Sequence, residues 1–246
     1  MGIHISRGVR MRIPAGGLVI SFREGMRVET IQLQLDTCIH WLEIALDHLA
    51  AAIAANEALV ALQANDPALG SILDREFKAS VQAVVAAATF FEALHAATID
   101  RCPPPTLSVS VPRRKRAARY AIVAEQLRRS FGLRKQGTAN LRSVLSEVYR
   151  FRDQAVHPTA KFSAPVLHPQ LNVGVEQRFV MFCADSARLL VRAALAFSKI
   201  LPSRDLTKRP KEMQEFGSYL LQVCEPLYVR WHELYGPLLD EPSTVT

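Results

Sequence analysis

Beyond residue 27 of this chain, apolar side chains return every three or four positions, and that period rules out a sheet-based fold for most of the molecule. Ile31, Leu35, Cys38, Leu42, Ala45, Leu49 and Ile53 make one such stripe, which predicts a helix from Arg27 onward. Leu73, Phe77, Val81, Val84, Ala88 and Phe91 make a second, and Asp66 before Pro67 suits its start. The stretch CPPPTLSVSVP (102–112) ends it, because three consecutive prolines remove backbone donors. A basic helix is then expected over about 113–130, closed by Gly132, and another from about Thr138, as N-cap, to about Val156. A proline-rich loop separates this helix from one over about 176–200, with Phe179, Cys183, Leu190, Ala194 and Phe197 on its stripe. The last helical stretch, about 211–236, carries Pro226, which should kink or split it.

Only the first 26 residues depart from this period. They hold five of the eleven glycines and read as an irregular arm, in which GLVISF is a candidate strand. The expectation is an all-α bundle of five or six helices forming one domain over 27–240, with the arm before it and a frayed tail over 241–246. Hydrophobic residues at 49% and charged residues at 22% are enough for a buried core and exclude global disorder. The four cysteines, Cys38, Cys102, Cys183 and Cys224, are too scattered for a paired zinc motif or a disulfide framework. No secretory signal and no uninterrupted run of 18 apolar residues is present, so a cytoplasmic chain without a membrane partner is expected.

Charge is unevenly spread. Residues 113–135 carry nine Lys or Arg and one acid, a local net of +8 against +7 for the whole chain. A concentrated basic stripe is how proteins neutralise phosphates, which makes Arg113, Arg114, Lys115, Arg116, Arg119, Arg128 and Arg129 candidate nucleic-acid contacts. A solvated helix face is the plainer alternative.

The segment LRSVLSEVYRFRDQAVHP (141–158) carries the chemistry. With about 100° per residue, Leu141, Leu145, Val148, Ala155 and Val156 fall on one face, and Arg152 falls at its centre. A guanidinium there must meet an anion or a polar cavity, since it cannot be discharged. A structural ion pair, with Glu92 for instance, is the alternative. His157 precedes Pro158, which disfavours helical geometry at the residue before it, so the helix should end there and free the imidazole. Glu92 and His95, spaced i to i+3, form a core-edge pair that could reach this helix. His168, before Pro169, is expected in an exposed loop, and Trp41 and Trp231 in the core or an interface.

RDQAVH resembles the signature of the HEPN superfamily, helical-bundle proteins that include ribonuclease toxins and RNA-processing factors. Arg152 and His157 stand at the motif's Arg and His with four residues between them, and Asp153 at its polar position after the Arg. Arg150 with His157 is a second register, but Arg150 lies on the polar side of the wheel and lacks the following acid. The resemblance covers 70–201 as a layout and RDQAVH as a motif. It implies a metal-independent endoribonuclease without a cofactor, built as a homodimer with its groove between protomers and, in the toxin members, neutralised by a cognate antitoxin. In that scheme Arg152, His157 and Asp153 form the catalytic set, Glu92 supports Arg152, and the basic stripe holds RNA. Two other readings stay open: a non-catalytic HEPN-like module that binds RNA or a partner, and a helix-turn-helix DNA-binding regulator with Gly132 in its turn. Against the latter stands the stretch from Phe131 to Gly137, longer than that motif's turn.

Overall fold

A computed structural model describes residues 3–6, 8–12, 18–21, 25–28, 31–62, 66–104, 117–157, 162 and 164–239. Among these, seven helices build the bundle: α1 (Cys38–Val60), α2 (Leu69–Arg101), α3 (Arg119–Phe131), α4 (Lys135–Val156), α5 (Gln177–Met181), α6 (Ala184–Ile200) and α7 (Lys211–Tyr235). The all-α class expected from the period is therefore the observed one.

α1 and α2 make the most extensive helix pair. Their stripes explain it: Ile39, Leu42, Leu46 and Leu49 face Ala83, Ala87, Phe90, Phe91 and Leu94, all at most 1% exposed. The alanines let the two backbones approach closely, and the phenylalanines fill what remains. Both helices are long and apolar enough to cross a membrane by length and composition, but they are the core hairpin on which the other elements pack. α6 lies against both, α7 closes on α6 and α1, and the α3–α4 pair packs on α2.

Several boundaries differ from the periodic reading. The first helix begins at Cys38, not near Arg27. Ile31 and Leu35 continue its spacing, but they lie in and beside an extended segment and are more than half exposed. The N-terminal region is not irregular throughout: β1 (Ile3–Ser6), β2 (Val9–Arg12) and β5 (Gln32–Leu35) form an antiparallel sheet in the order β1-β2-β5. β3 (Leu18–Ser21) and β4 (Gly25–Val28) pair as a hairpin, with Leu18 opposite Val28. The expected strand in GLVISF is β3.

This sheet is tied to the bundle. The Gly8 N–H donates to the Tyr219 hydroxyl, and the Asp36 N–H donates to the Gly8 carbonyl at 2.6 Å. Gly8 has φ +74°, and a Cβ there would stand 2.8 Å from the Asp36 oxygen, so only glycine fits. Arg10 is buried and pairs with Asp100 and Gln34. At the junction, Asp36 and Arg101 form an ion pair with side chains 2% and 1% exposed.

The expected fifth helix is two. α5 ends at Met181, and Cys183 becomes the residue before α6, in extended geometry, instead of a stripe position. Glu76, 1% exposed, caps this new start: its carboxylate accepts from the Ala184 N–H at 2.8 Å and from Asn56 Nδ2 at 3.0 Å. His168 is not exposed but buried, and the turn that follows it docks on α1 through a hydrogen bond of 2.8 Å from Asn56 Nδ2 to Gln170 Oε1. α7 runs unbroken through Pro226, so the expected split does not occur. The basic helix begins at Arg119, and Arg113, Arg114, Lys115 and Arg116 lie outside the described residues, as does Pro158.

α4 starts at Lys135, three residues earlier than Thr138 suggested. Only Gly132, Leu133 and Arg134 separate it from α3. Gly132, at φ +67°, allows the tight reversal, and the Leu133 N–H returns to the Arg128 carbonyl at 3.0 Å.

Candidate active site at the end of α4

The apolar stripe of α4 is buried at Leu141, Leu145 and Val148, then leaves the core: Val156 is 46% exposed. Arg152 sits at this transition, its side chain 29% exposed. Its Nη2 meets the Asp153 carboxylate at 2.7 Å, and its guanidinium carbon lies 4.9 Å from the centre of the Tyr149 ring, one turn back. Its Nε is buried and has no acceptor among the described residues. Arg150, the alternative register, is on the polar side as expected, paired with Glu147 at 2.7 Å.

His157 ends the helix. Its backbone has left helical geometry (φ −126°, ψ 60°), while its N–H still donates to the Asp153 carbonyl at 2.9 Å. The imidazole is exposed, and no described residue hydrogen-bonds it. Arg152, Asp153 and His157 therefore share one helix terminus, with the first two in direct contact.

Glu92 does not pair with Arg152. It lies on α2 between two other partners: Arg119 grips it through Nε at 3.0 Å and through Nη2, and the Tyr149 hydroxyl donates to it at 2.7 Å. Burial alone would raise the Glu92 pKa. The bonds from Arg119 and Tyr149 outweigh it and hold the carboxyl below the usual range. The Tyr149 phenol is pushed up by burial and by the same carboxylate. His95, one turn further along α2, has Nδ1 3.4 Å from Arg119 Nη2, and burial and that cation push its pKa down. So α2, α3 and α4 are joined through Arg119, Glu92 and Tyr149, and Arg152 rests on the last of these.

The expected nucleic-acid cations fall into different surroundings. Arg119 is committed to Glu92 with its side chain 46% exposed. Arg128 pairs with Glu125 at 2.7 Å, and Arg129 bonds the Pro103 carbonyl at 2.9 Å. Tyr149 was not singled out in the sequence. Its signal was there: an aromatic hydroxyl three residues before the stripe arginine shares its helix face. Among the described residues, no group of three or more His, Cys, Asp or Glu side chains is arranged to hold a metal. No protein-family model, curated protein or solved structure matches the chain.

Proposed function

We propose that this chain is a metal-independent endoribonuclease of the HEPN type, acting in the cytoplasm as a homodimer with Arg152 and His157 as its catalytic pair. The observation that carries the reading is Arg152. A guanidinium held on a tyrosine face where an apolar stripe meets solvent, with no acceptor for Nε and one exposed carboxylate as counterion among the described residues, is short of anionic partners there. A phosphodiester supplies them.

In the proposed reaction one His157 imidazole takes the proton of the ribose 2′-hydroxyl, and the 2′-oxygen attacks phosphorus. The bond from phosphorus to the 5′-oxygen breaks, and protonated His157 of the partner subunit gives its proton to that oxygen. The products are a 2′,3′-cyclic phosphate and a 5′-hydroxyl. Arg152 neutralises charge growing on the non-bridging oxygens, and Asp153 holds the guanidinium fork. Glu92 supports the site indirectly, by fixing Tyr149 beneath Arg152. The cations of α3 and of the preceding segment guide the RNA backbone.

The test is RNA cleavage by the purified chain in excess chelator. Cyclic-phosphate ends are expected, with Arg152→Ala and His157→Ala each reducing the rate by about 10²-fold or more. Cleavage that survives both substitutions overturns the proposal. RNA binding without turnover would instead mean a non-catalytic module, an outcome consistent with the absence of any described partner orienting His157.

One observation favours a second reading. The three-residue connection with Gly132 is as short as a helix-turn-helix requires, and Lys135, Gln136, Asn140 and Arg142 are exposed on the first turns of α4. Tight duplex DNA binding that weakens in Asn140→Ala and Arg142→Ala, with no RNA cleavage, would establish that reading instead.

A further inference from the structure

Glu92, Arg119 and Tyr149 join α2, α3 and α4, and His95 is a fourth member of that joint. It stands one turn beyond Glu92 on the same side of α2 and is 6% exposed. Its Nδ1 lies 3.4 Å from Arg119 Nη2. A guanidinium only donates, so Nδ1 must accept, and the imidazole is neutral with its proton on Nε2. Arg119 is thus held on two sides, by His95 and by the Glu92 carboxylate, which it grips through Nε at 3.0 Å and through Nη2. Arg119 opens α3, and its hold on α2 is polar, whereas Val123, Leu127 and Phe131 hold the rest of α3 through the core.

A proton on Nδ1 undoes this arrangement. The acceptor becomes a donor, and two cations face each other across 3.4 Å in place of one bond. The carboxylate that binds Arg119 lies three residues before His95 on its own helix, within reach of the imidazolium. Arg119, with its side chain 46% exposed, has water to turn to, and the buried His95 has not. Of the described charged groups, Arg119 from α3 and Glu92 from α2 are the two that act on His95, while α4 brings the Tyr149 hydroxyl to the same carboxylate. Burial first, and then the Arg119 charge, push the His95 pKa below its ordinary value, against the smaller pull of Glu92. The joint is therefore intact above the ordinary histidine range and is lost as the pH falls through that range and below. Glu92 stays ionised there, because its own pKa is held below the usual carboxylate range.

We propose that His95 is a proton-operated latch: neutral, it fastens Arg119 and the first turn of α3 to α2, and protonated, it takes Glu92 for itself and releases Arg119 to solvent. The latch uses neither Arg152 nor His157 and stands or falls apart from the nuclease reading.

Hydrogen exchange of the full chain at about pH 7.5 and about pH 5, either side of the ordinary histidine value, tests the latch. The Ala121 and Ile122 amides both bond the Ala118 carbonyl at the start of α3. On acidification their protection is expected to fall by about tenfold or more relative to the amides of α6. In His95→Asn, whose amide oxygen stands where Nδ1 accepts but takes no proton, that fall should disappear. The His95 imidazole, followed by NMR, should titrate below its ordinary value and move up in Arg119→Gln, where the facing cation is gone. Arg119→Gln also carries the exchange test if His95→Asn does not fold, because without the guanidinium there is no latch to open and the fall should again disappear. A His95 midpoint at or above the ordinary value, or a fall in protection that persists in His95→Asn or in Arg119→Gln, overturns the proposal. So does wild-type protection at the start of α3 that does not change with pH.

Discussion

Replacing Asp36 by Asn removes one charge from the ion pair that joins the N-terminal sheet to the bundle. The wild-type pair is 2.5 Å from Arg101 Nη2 to Asp36 Oδ2, with a second contact of 3.4 Å through Nη1. Without the carboxylate, Arg101 keeps the Ala97 carbonyl at 2.6 Å and the Phe216 ring, 4.2 Å away. Neither carries a full negative charge, and a side chain 1% exposed cannot recover the loss from water. Breaking one side of such a pair costs about 3–5 kcal/mol. For a chain of this size that lowers the melting temperature by roughly 10 °C. Urea unfolding followed by circular dichroism measures the change, with an unaltered slope showing that the native state is otherwise intact. The double variant Asp36→Leu with Arg101→Met should recover most of the loss, because an apolar pair of similar volume has no desolvation to offset. If Asp36→Asn lies within about 1 kcal/mol of wild type, the junction is not the buried electrostatic joint described here, and the reasoning fails.

Tyr149→Phe deletes the 2.7 Å bond to Glu92 and should destabilise by about 1.5–3 kcal/mol in urea unfolding, the range for a bond to a charged partner. Because the Glu92 pKa is lowered in the folded state, the stability linked to that shift is full above the usual glutamate range. It is lost as the pH falls through that range and below, so the difference between Tyr149→Phe and wild type should narrow on acidification. Gly132→Ala, at φ +67°, should cost about 1–2 kcal/mol by the same assay, with Gly132→Asn milder since asparagine tolerates left-handed geometry. Thiol labelling of the native protein should stop at two of four cysteines, Cys102 and Cys183. Cys38 and Cys224 are buried, and burial together with the Asp36 charge pushes the Cys38 thiol up to about 12.

Much of the site was legible residue by residue. The wheel put Arg152 on an apolar stripe, and the proline after His157 predicted where the helix would end; α4 ends at Val156, with His157 in cap geometry. The partner of Glu92 was not legible, because Arg119 and Tyr149 reach it from two helices distant in sequence. His168 looked like a loop residue, but it is buried, and the turn that follows it docks through a hydrogen bond from Asn56 to Gln170, 114 positions apart.

The sequence by itself determined the helical class, the two long core helices and the cationic terminus of α4. Those follow from a period that repeats within a few residues, which is the range over which backbone geometry alone fixes neighbours. Tertiary structure decided where helices began. Ile31 and Leu35 carry the helical spacing yet lie in and beside strand β5, because β2 offers it a hydrogen-bonded neighbour and Asp36 is drawn to Arg101. It also decided that the expected helix breaks, with α5 ending at Met181 and Cys183 standing before α6, since the Glu76 carboxylate across the core supplies the cap for α6. In each case a contact between distant residues overrode a local preference whose free energy is well under that of one buried charge pair.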